Sequence, residues 1–283
     1  MLSLGHETKI IPAKCIISFR QGHKTDKNDA LAVAEAAKRS NIKISPIKSI
    51  DHQGMLAIQR SRELLVREKV KLSDHIRGIS LEFGIVIPQG FMALRRHIAE
   101  LLDNNESELP TIYRPTLACV FERFKTLLED IKFLDQQIDA SVKNHQACHE
   151  LTALEGVGPI SAVLLFATLG TGEAFKNGRE FSAYIGLTPK QYSSGGKQNI
   201  IGISKHVANR RLRAILIQGA RAYVYRMKSV STAKDRWLVA MIQRVGHAKA
   251  AVALANKNAI TAWALLTHGT CYNKYQDNEL LTA

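Results

Sequence analysis

Six apolar residues, Val120, Phe124, Leu127, Ile131, Leu134 and Ile138, follow one another at intervals of 4, 3, 4, 3 and 4. That spacing keeps one face of a long helix apolar for nearly three heptads, which the two-residue period of a strand cannot do. Upstream, Ile58, Leu65, Leu72 and Ile79 recur every seven residues. Two long helices are therefore expected. They pair either with each other, as an antiparallel hairpin, or with a second chain. Between them lie an amphipathic piece, residues 91–102, and a polar turn, Asp103-Asn104-Asn105-Glu106.

The charge is as uneven as the apolar pattern. The 283 residues carry a net charge of +14, yet residues 190–260 hold seven lysines and seven arginines against a single acid, Asp235. Nearly the whole excess is thus gathered in one segment. A field of that kind attracts a polyanion, and nucleic-acid phosphate is the first candidate. An anionic membrane surface fits less well, because the segment reads as a packed domain rather than as a short amphipathic helix. With 46% hydrophobic residues, wholesale disorder is excluded. No run of apolar residues is expected to reach bilayer-spanning length, and the start, Met1-Leu2-Ser3-Leu4-Gly5-His6-Glu7, lacks the layout of a signal peptide. Four scattered cysteines, Cys15, Cys119, Cys148 and Cys271, suggest free thiols in a reducing cytoplasm. His145, Cys148 and His149 have the residue types of a metal site, but such groupings are more often structural or on the surface.

Four local patterns carry candidate chemistry. Thr8 to Pro12 reads as a short strand, and Thr25 then caps a helix that ends near Ser40 and Asn41. Asp26 and Asp29 open that helix three residues apart, on one face, where both carboxylates can address one Mg²⁺. First-turn acids also serve simply to complement the helix dipole. Gly156-Val157-Gly158-Pro159 falls between two apolar helices, like the turn of a helix-hairpin-helix. Its glycines can turn backbone N–H groups toward a phosphate, and they equally suit a plain interhelical connection. Ser193-Ser194-Gly195-Gly196-Lys197 sets two hydroxyls and a cation on a pliable backbone. That suits serine attack on a phosphodiester, and it also describes an ordinary polar surface loop. The spacing of a P-loop is absent. A basic helix follows, with Arg210, Arg211, Arg213 and Arg221 interleaved among Leu212, Ile215, Leu216 and Ile217, and an apolar helix over residues 248–266 closes the segment.

Taken together, these motifs resemble the insertion-sequence-110 family of DEDD-type transposases. The matching stretches are Lys24 to Ala30, Leu154 to Pro159, Phe181 to Pro189, Ser193 to Lys197, Gly202 to Lys205, Leu212-Arg213 and Gly219 to Arg221. Each is weak alone; their order and separation together make the likeness specific. The resemblance implies a mainly α fold with four parts. These are a remnant of a RuvC-like α/β nuclease domain at 1–45, a helical hairpin or coiled coil at 46–148, a C-terminal transposase domain at 149–270 and a tail at 271–283. It implies a bacterial, cytoplasmic protein that acts in DNA transposition and recombination, with DNA and in some members a structured guide RNA as partners. It implies no membrane, and assembly through the heptad helices, since strand exchange needs more than one active site. Family members use four acids, Asp-Glu-Asp-Asp, to hold Mg²⁺ beside a catalytic serine that forms a covalent link to DNA. The last two acids match Asp26 and Asp29, and the serine matches Ser194. Gly156, Gly158, Lys197, Lys205, Arg210, Arg211 and Arg213 are the expected nucleic-acid contacts.

Two departures stand out. Nothing in this sequence matches the family's first Asp and its Glu, and Glu7 belongs to the wrong strand to replace either. The expectation is an N-terminally truncated chain that binds Mg²⁺ weakly and is inactive as it stands. The alternative is a non-catalytic DNA- or RNA-binding fragment that associates with the full-length enzyme. Second, His206-Val207-Ala208-Asn209 stands where the family carries a glycine, which is expected to distort the entry to the Arg210–Arg213 helix. A helical DNA-repair-type protein using the 156–159 turn alone would leave the serine–glycine segment unexplained.

Overall fold

A computed structural model describes residues 4–6, 8–39, 42, 44–104, 109–195, 197–203 and 209–273, without the side chains of Lys14, Ser194, Gln198 and Ile201. The polar tail beyond 273 and parts of the 103–106 turn lie outside the described residues. Within them the chain is mainly helical, in ten helices and one two-stranded hairpin. In order these are α1 (Ala13–Ile17), α2 (Asp26–Ala37), α3 (Ile50–Glu82), α4 (Phe91–Asp103), α5 (Arg114–Asn144), α6 (Gln146–Leu151), α7 (Pro159–Leu169), α8 (Gly178–Tyr184), β1 (Pro189–Ser194), β2 (Lys197–Ile203), α9 (Arg210–Arg226) and α10 (Ala233–His268). The chain divides into two compact units, residues 55–141 and residues 1–54 together with 142–283.

In the unit of residues 55–141, the core gathers Ile76, Ile87, Leu94, Ile98, Leu109, Leu117, Phe121 and Phe124 from α3, α4, α5 and the segments between them. The α5 stripe behaves as its spacing requires: Phe124, Leu127, Ile131 and Ile138 are buried, and Val120 and Leu134 half-buried. On α3 the expected line is displaced. Ile58, Leu65, Leu72 and Ile79 are only half-buried, and the buried positions are Met55, Gln59, Ser73, Ile76 and Ser80. The correction has a physical basis. The line that faces inward contains polar groups, so a search for apolar repeats selects the neighbouring line instead. Arg62, on the same inward line, makes a two-pronged contact with Asp135 of α5. Lys69 lies 4.0 Å from the ring centroid of Phe91.

In the other unit, the N-terminal segment shows α1 packed on α2 and a single antiparallel bridge between Ile10 and Ser45, rather than the short strand the sequence suggests. The polar "loop" at 193–197 is also corrected. It is the tip of an antiparallel β-hairpin in which Ser194 pairs with Lys197, and Gly195 turns at φ +56. Pro189 to Ile203 contains enough β-favouring Tyr and Ile residues to extend both sides of the turn. α10 is the central helix, packed on α9, α8, α7 and α6. It begins well before residue 248, at a capping box between Thr232 and Asp235, and ends on the left-handed Gly269. Against the expectation from hydropathy, its length and composition are those of a helix able to cross a bilayer. Here one face of it packs against α6, α7, α8 and α9. Ala250, Ala251, Leu254, Ala255, Ala259 and Ala262 line its buried face, where small side chains allow close helix approach. A positive φ of 80° at Gly246 breaks it in two.

Candidate functional site

The 156–159 turn is built by close backbone packing. Gly156 has φ +79, and a Cβ there would lie 2.5 Å from the carbonyl oxygen of Gly219 on α9. A Cβ on Gly219 would lie 2.0 Å from the carbonyl oxygen of Gly156. The two glycines thus let turn and helix touch main chain to main chain, with Val157 buried. Gly158 is different: it caps α7, is exposed, and leads into Pro159 at the first helical position. Of the two glycines expected to meet phosphate, Gly156 is committed to packing and Gly158 is open to solvent.

Directly before this turn, Glu155 is 4% exposed and is the hub of a buried polar network that the sequence pattern did not reveal. Its carboxylate accepts from Lys234 Nζ and from the Tyr272 hydroxyl at 3.0 Å, and its main-chain carbonyl accepts from Asn258 Nδ2 at 2.7 Å. Lys234 also donates to Asn258 Oδ1 at 3.0 Å. Burial pushes Lys234 below the ordinary lysine value, with the Glu155 carboxylate opposing that shift. Next to it, Asp235 accepts from the Tyr223 hydroxyl at 2.7 Å and from Ser231 and Thr232 main-chain N–H groups. Burial of the carboxyl works against ionisation, and these hydrogen bonds outweigh it, holding Asp235 down at about 2. The network ties the turn to the start of α10. Its members lie up to 117 residues apart, so no local spacing announces it.

The basic helix α9 begins regularly. Residues 204–208, including the expected contact Lys205, lie outside the described residues. Asn209 supplies the cap, its side chain accepting from the Leu212 N–H at 3.0 Å. The expected distortion at this entry is therefore absent from 209 onward, because asparagine caps a helix without needing glycine. Arg210 is exposed, Arg211 and Arg213 half-buried, while Leu212, Leu216, Ala220 and Val224 face the core. The exposed charge is of one sign: Asp235, the single acid of residues 190–260, is 2% exposed and fully hydrogen-bonded.

Ser194 ends β1 and Lys197 opens β2 across the Gly195 turn. Lys197 is exposed, and Ser193 accepts from Gln191 at 3.1 Å. Asp26 and Asp29 occupy the first turn of α2, capped by Thr25. Asp26 is exposed and Asp29 half-buried, and Asp29 pairs with Arg20 at 3.4 Å. Among the described residues, no hydrogen bond or ion pair joins either aspartate to the serine hairpin. Two carboxylates on one helical turn are of the right chemistry for Mg²⁺, which often takes one or two carboxylates with waters and substrate phosphates completing its shell. Among the described residues, no third His, Cys, Asp or Glu joins them. His145, Cys148 and His149 form no metal cluster either: His145 packs on the Phe166 ring, and burial pushes the Cys148 thiol up to about 12.

A basic helical unit, a glycine turn packed on α9 and a hairpin carrying Ser194 are what the structure brings together, and comparison with known proteins places them in a family. The family model described as "Transposase IS116/IS110/IS902 family" matches residues 148–237, a stretch that contains the glycine turn, Ser194 and all of α9. A "Probable family 20 transposase" of Pseudomonas aeruginosa is 37% identical over 270 residues, covering 95% of this chain and 80% of that protein. The transposases for insertion sequence elements IS1111A of Coxiella burnetii and IS1328 of Yersinia enterocolitica are each 34% identical over 271 residues. They cover 96% of this chain and 74% and 80% of their own lengths. The chain belongs to the IS116/IS110/IS902 transposase family.

Proposed function

We propose that this transposase-family chain acts in DNA transposition and recombination with Ser194 as nucleophile. The observation that supports this best is the position of Ser194, at the end of β1 beside a positive-φ glycine and across the hairpin from Lys197, within the family-matched stretch. In this reading the serine oxygen attacks the phosphorus of a DNA phosphodiester. A new P–O bond forms, the bond to a deoxyribose oxygen breaks, and that oxygen leaves with a proton. Lys197, Lys205, Arg210, Arg211 and Arg213 hold phosphates and fix the register of the DNA, and the exposed Gly158 end of α7 offers backbone N–H groups. Asp26 and Asp29, the latter released from Arg20, would hold Mg²⁺ in a RuvC-like arrangement; when bound, the ion lowers the cost of charge at the attacking and leaving oxygens. Assembly through the long helices α3 and α5, and a structured RNA partner, belong to the same reading, as does a cytoplasmic setting.

A second reading is favoured by the acids themselves. The chain has two that match the family's four, and Asp29 is engaged by Arg20. By itself this polypeptide is then inactive, holds Mg²⁺ weakly, and acts as a DNA- or RNA-binding partner of an active transposase. Incubation of the purified chain with element-end DNA and Mg²⁺, followed by a denaturing gel, separates the two. A protein–DNA adduct that is lost in Ser194→Ala supports the nucleophile and sinks the inactive reading. Salt-sensitive binding without adduct supports the second. Cleavage that persists in Ser194→Ala removes Ser194 from the chemistry.

A further inference from the structure

The C-terminal end of α9 carries an arrangement that neither the glycine turn nor the serine hairpin uses. Tyr225 is 59% exposed, an uncommon position for a large ring. The His247 ring stacks on it, with centroids 5.2 Å apart and planes within 18° of parallel. The guanidinium carbon of Arg221, one turn back on α9, lies 5.6 Å from the Tyr225 centroid. All three side chains are exposed. The stack adjoins the break in α10: Gly246, at φ +80, immediately precedes His247. The next cations in the chain on either side, Arg226, Lys228, Arg244 and Lys249, are exposed as well. No exposed acid lies anywhere in residues 190–260.

We propose that Arg221, Tyr225 and His247 form a stacking platform for an unpaired nucleobase, with the neighbouring cations holding the phosphates of the same strand. An exposed planar stack attracts flat, weakly hydrated rings. Every base offers such a face without needing a matched hydrogen bond. An arginine beside the tyrosine strengthens the stack through its own planar cation. A duplex hides its base faces, so the platform selects single-stranded or splayed nucleic acid over paired DNA. The proposal rests on the reading of this unit as nucleic-acid-binding and names a site within it.

Fluorescence anisotropy of the full chain tests it, using a labelled single-stranded DNA, the single-stranded RNA of the same sequence, and a blunt DNA duplex at several salt concentrations. Tyr225→Ala is expected to weaken single-strand binding by about tenfold or more, and duplex binding by less than about twofold. Tyr225→Phe is expected to keep single-strand affinity, because the ring and not the hydroxyl does the stacking. The strand type that loses more affinity, DNA or RNA, identifies the natural source of the base. Salt-dependent binding that Tyr225→Ala leaves unchanged, or weakens equally for single strand and duplex, overturns the platform alone. So does a Tyr225→Phe loss as large as that of Tyr225→Ala. Failure of the unsubstituted chain to bind any of the three probes overturns the nucleic-acid reading with it. As Tyr225 is exposed, unchanged far-ultraviolet circular dichroism is expected for both variants.

Discussion

At the scale of single residues, Asp235 shows how a site is held in place by groups far apart in sequence. It is the one acid in a strongly basic segment, a setting that invites a surface ion pair. Instead it is buried, caps α10 and receives the Tyr223 hydroxyl. Its carboxyl lies at about 2 in the folded chain against an ordinary 3.8. A carboxyl with a depressed folded value contributes stability above its unfolded value, and that contribution is lost as pH falls through the folded one. The stability carried by Asp235, roughly 2 kcal/mol, is therefore expected to be intact above about pH 4 and to disappear toward pH 2. Urea unfolding across that range should show Asp235→Asn losing less stability on acidification than the unsubstituted chain; equal losses would mean that the hydrogen bonds of the carboxylate are not what holds this end of α10.

At the scale of elements, the contact between the glycine turn and α9 is the closest approach around the candidate site. Gly219 sits in the middle of a helix, where glycine is locally unfavourable. By propensity alone, Gly219→Ala should therefore stabilise. The 2.0 Å approach to the Gly156 carbonyl oxygen reverses that sign, since a methyl group cannot fit without separating turn and helix. Gly219→Ala is expected to cost about 2 kcal/mol or more in thermal or urea unfolding, in line with other overpacked sites. A neutral or stabilising result would show that the turn does not rest on α9. The hairpin shows the limit of reading elements from sequence. Ser, Gly and Lys residues signalled a loop, yet Ser193, Ser194 and Lys197 belong to the strands, which extend through the flanking Tyr and Ile residues that the motif did not include. The α3 stripe failed for a related reason. Which line of a long helix faces inward is set by its neighbours, and here they accept Gln59, Ser73 and Arg62 on the inward line.

At the scale of the whole molecule, two units each have a core of their own. Phe124 is fully buried in the core of residues 55–141. Phe124→Ala is expected to destabilise that unit by about 3–5 kcal/mol. Hydrogen exchange read peptide by peptide should then speed up across residues 55–141 and stay unchanged over α7, α9 and α10. A loss of protection throughout the chain would show that the two units unfold as one. Sequence alone determined the mainly helical class, the α5 stripe, the concentration of charge, the glycine turn and the family likeness, because each is written in local spacing or composition. Only the tertiary structure decided that Gly156 is used for packing against Gly219, that Glu155, Lys234, Asn258 and Tyr272 share one buried network, and that His247 stacks on Tyr225. Those pairings depend on which distant helix faces meet, and they form only once the chain has closed on itself.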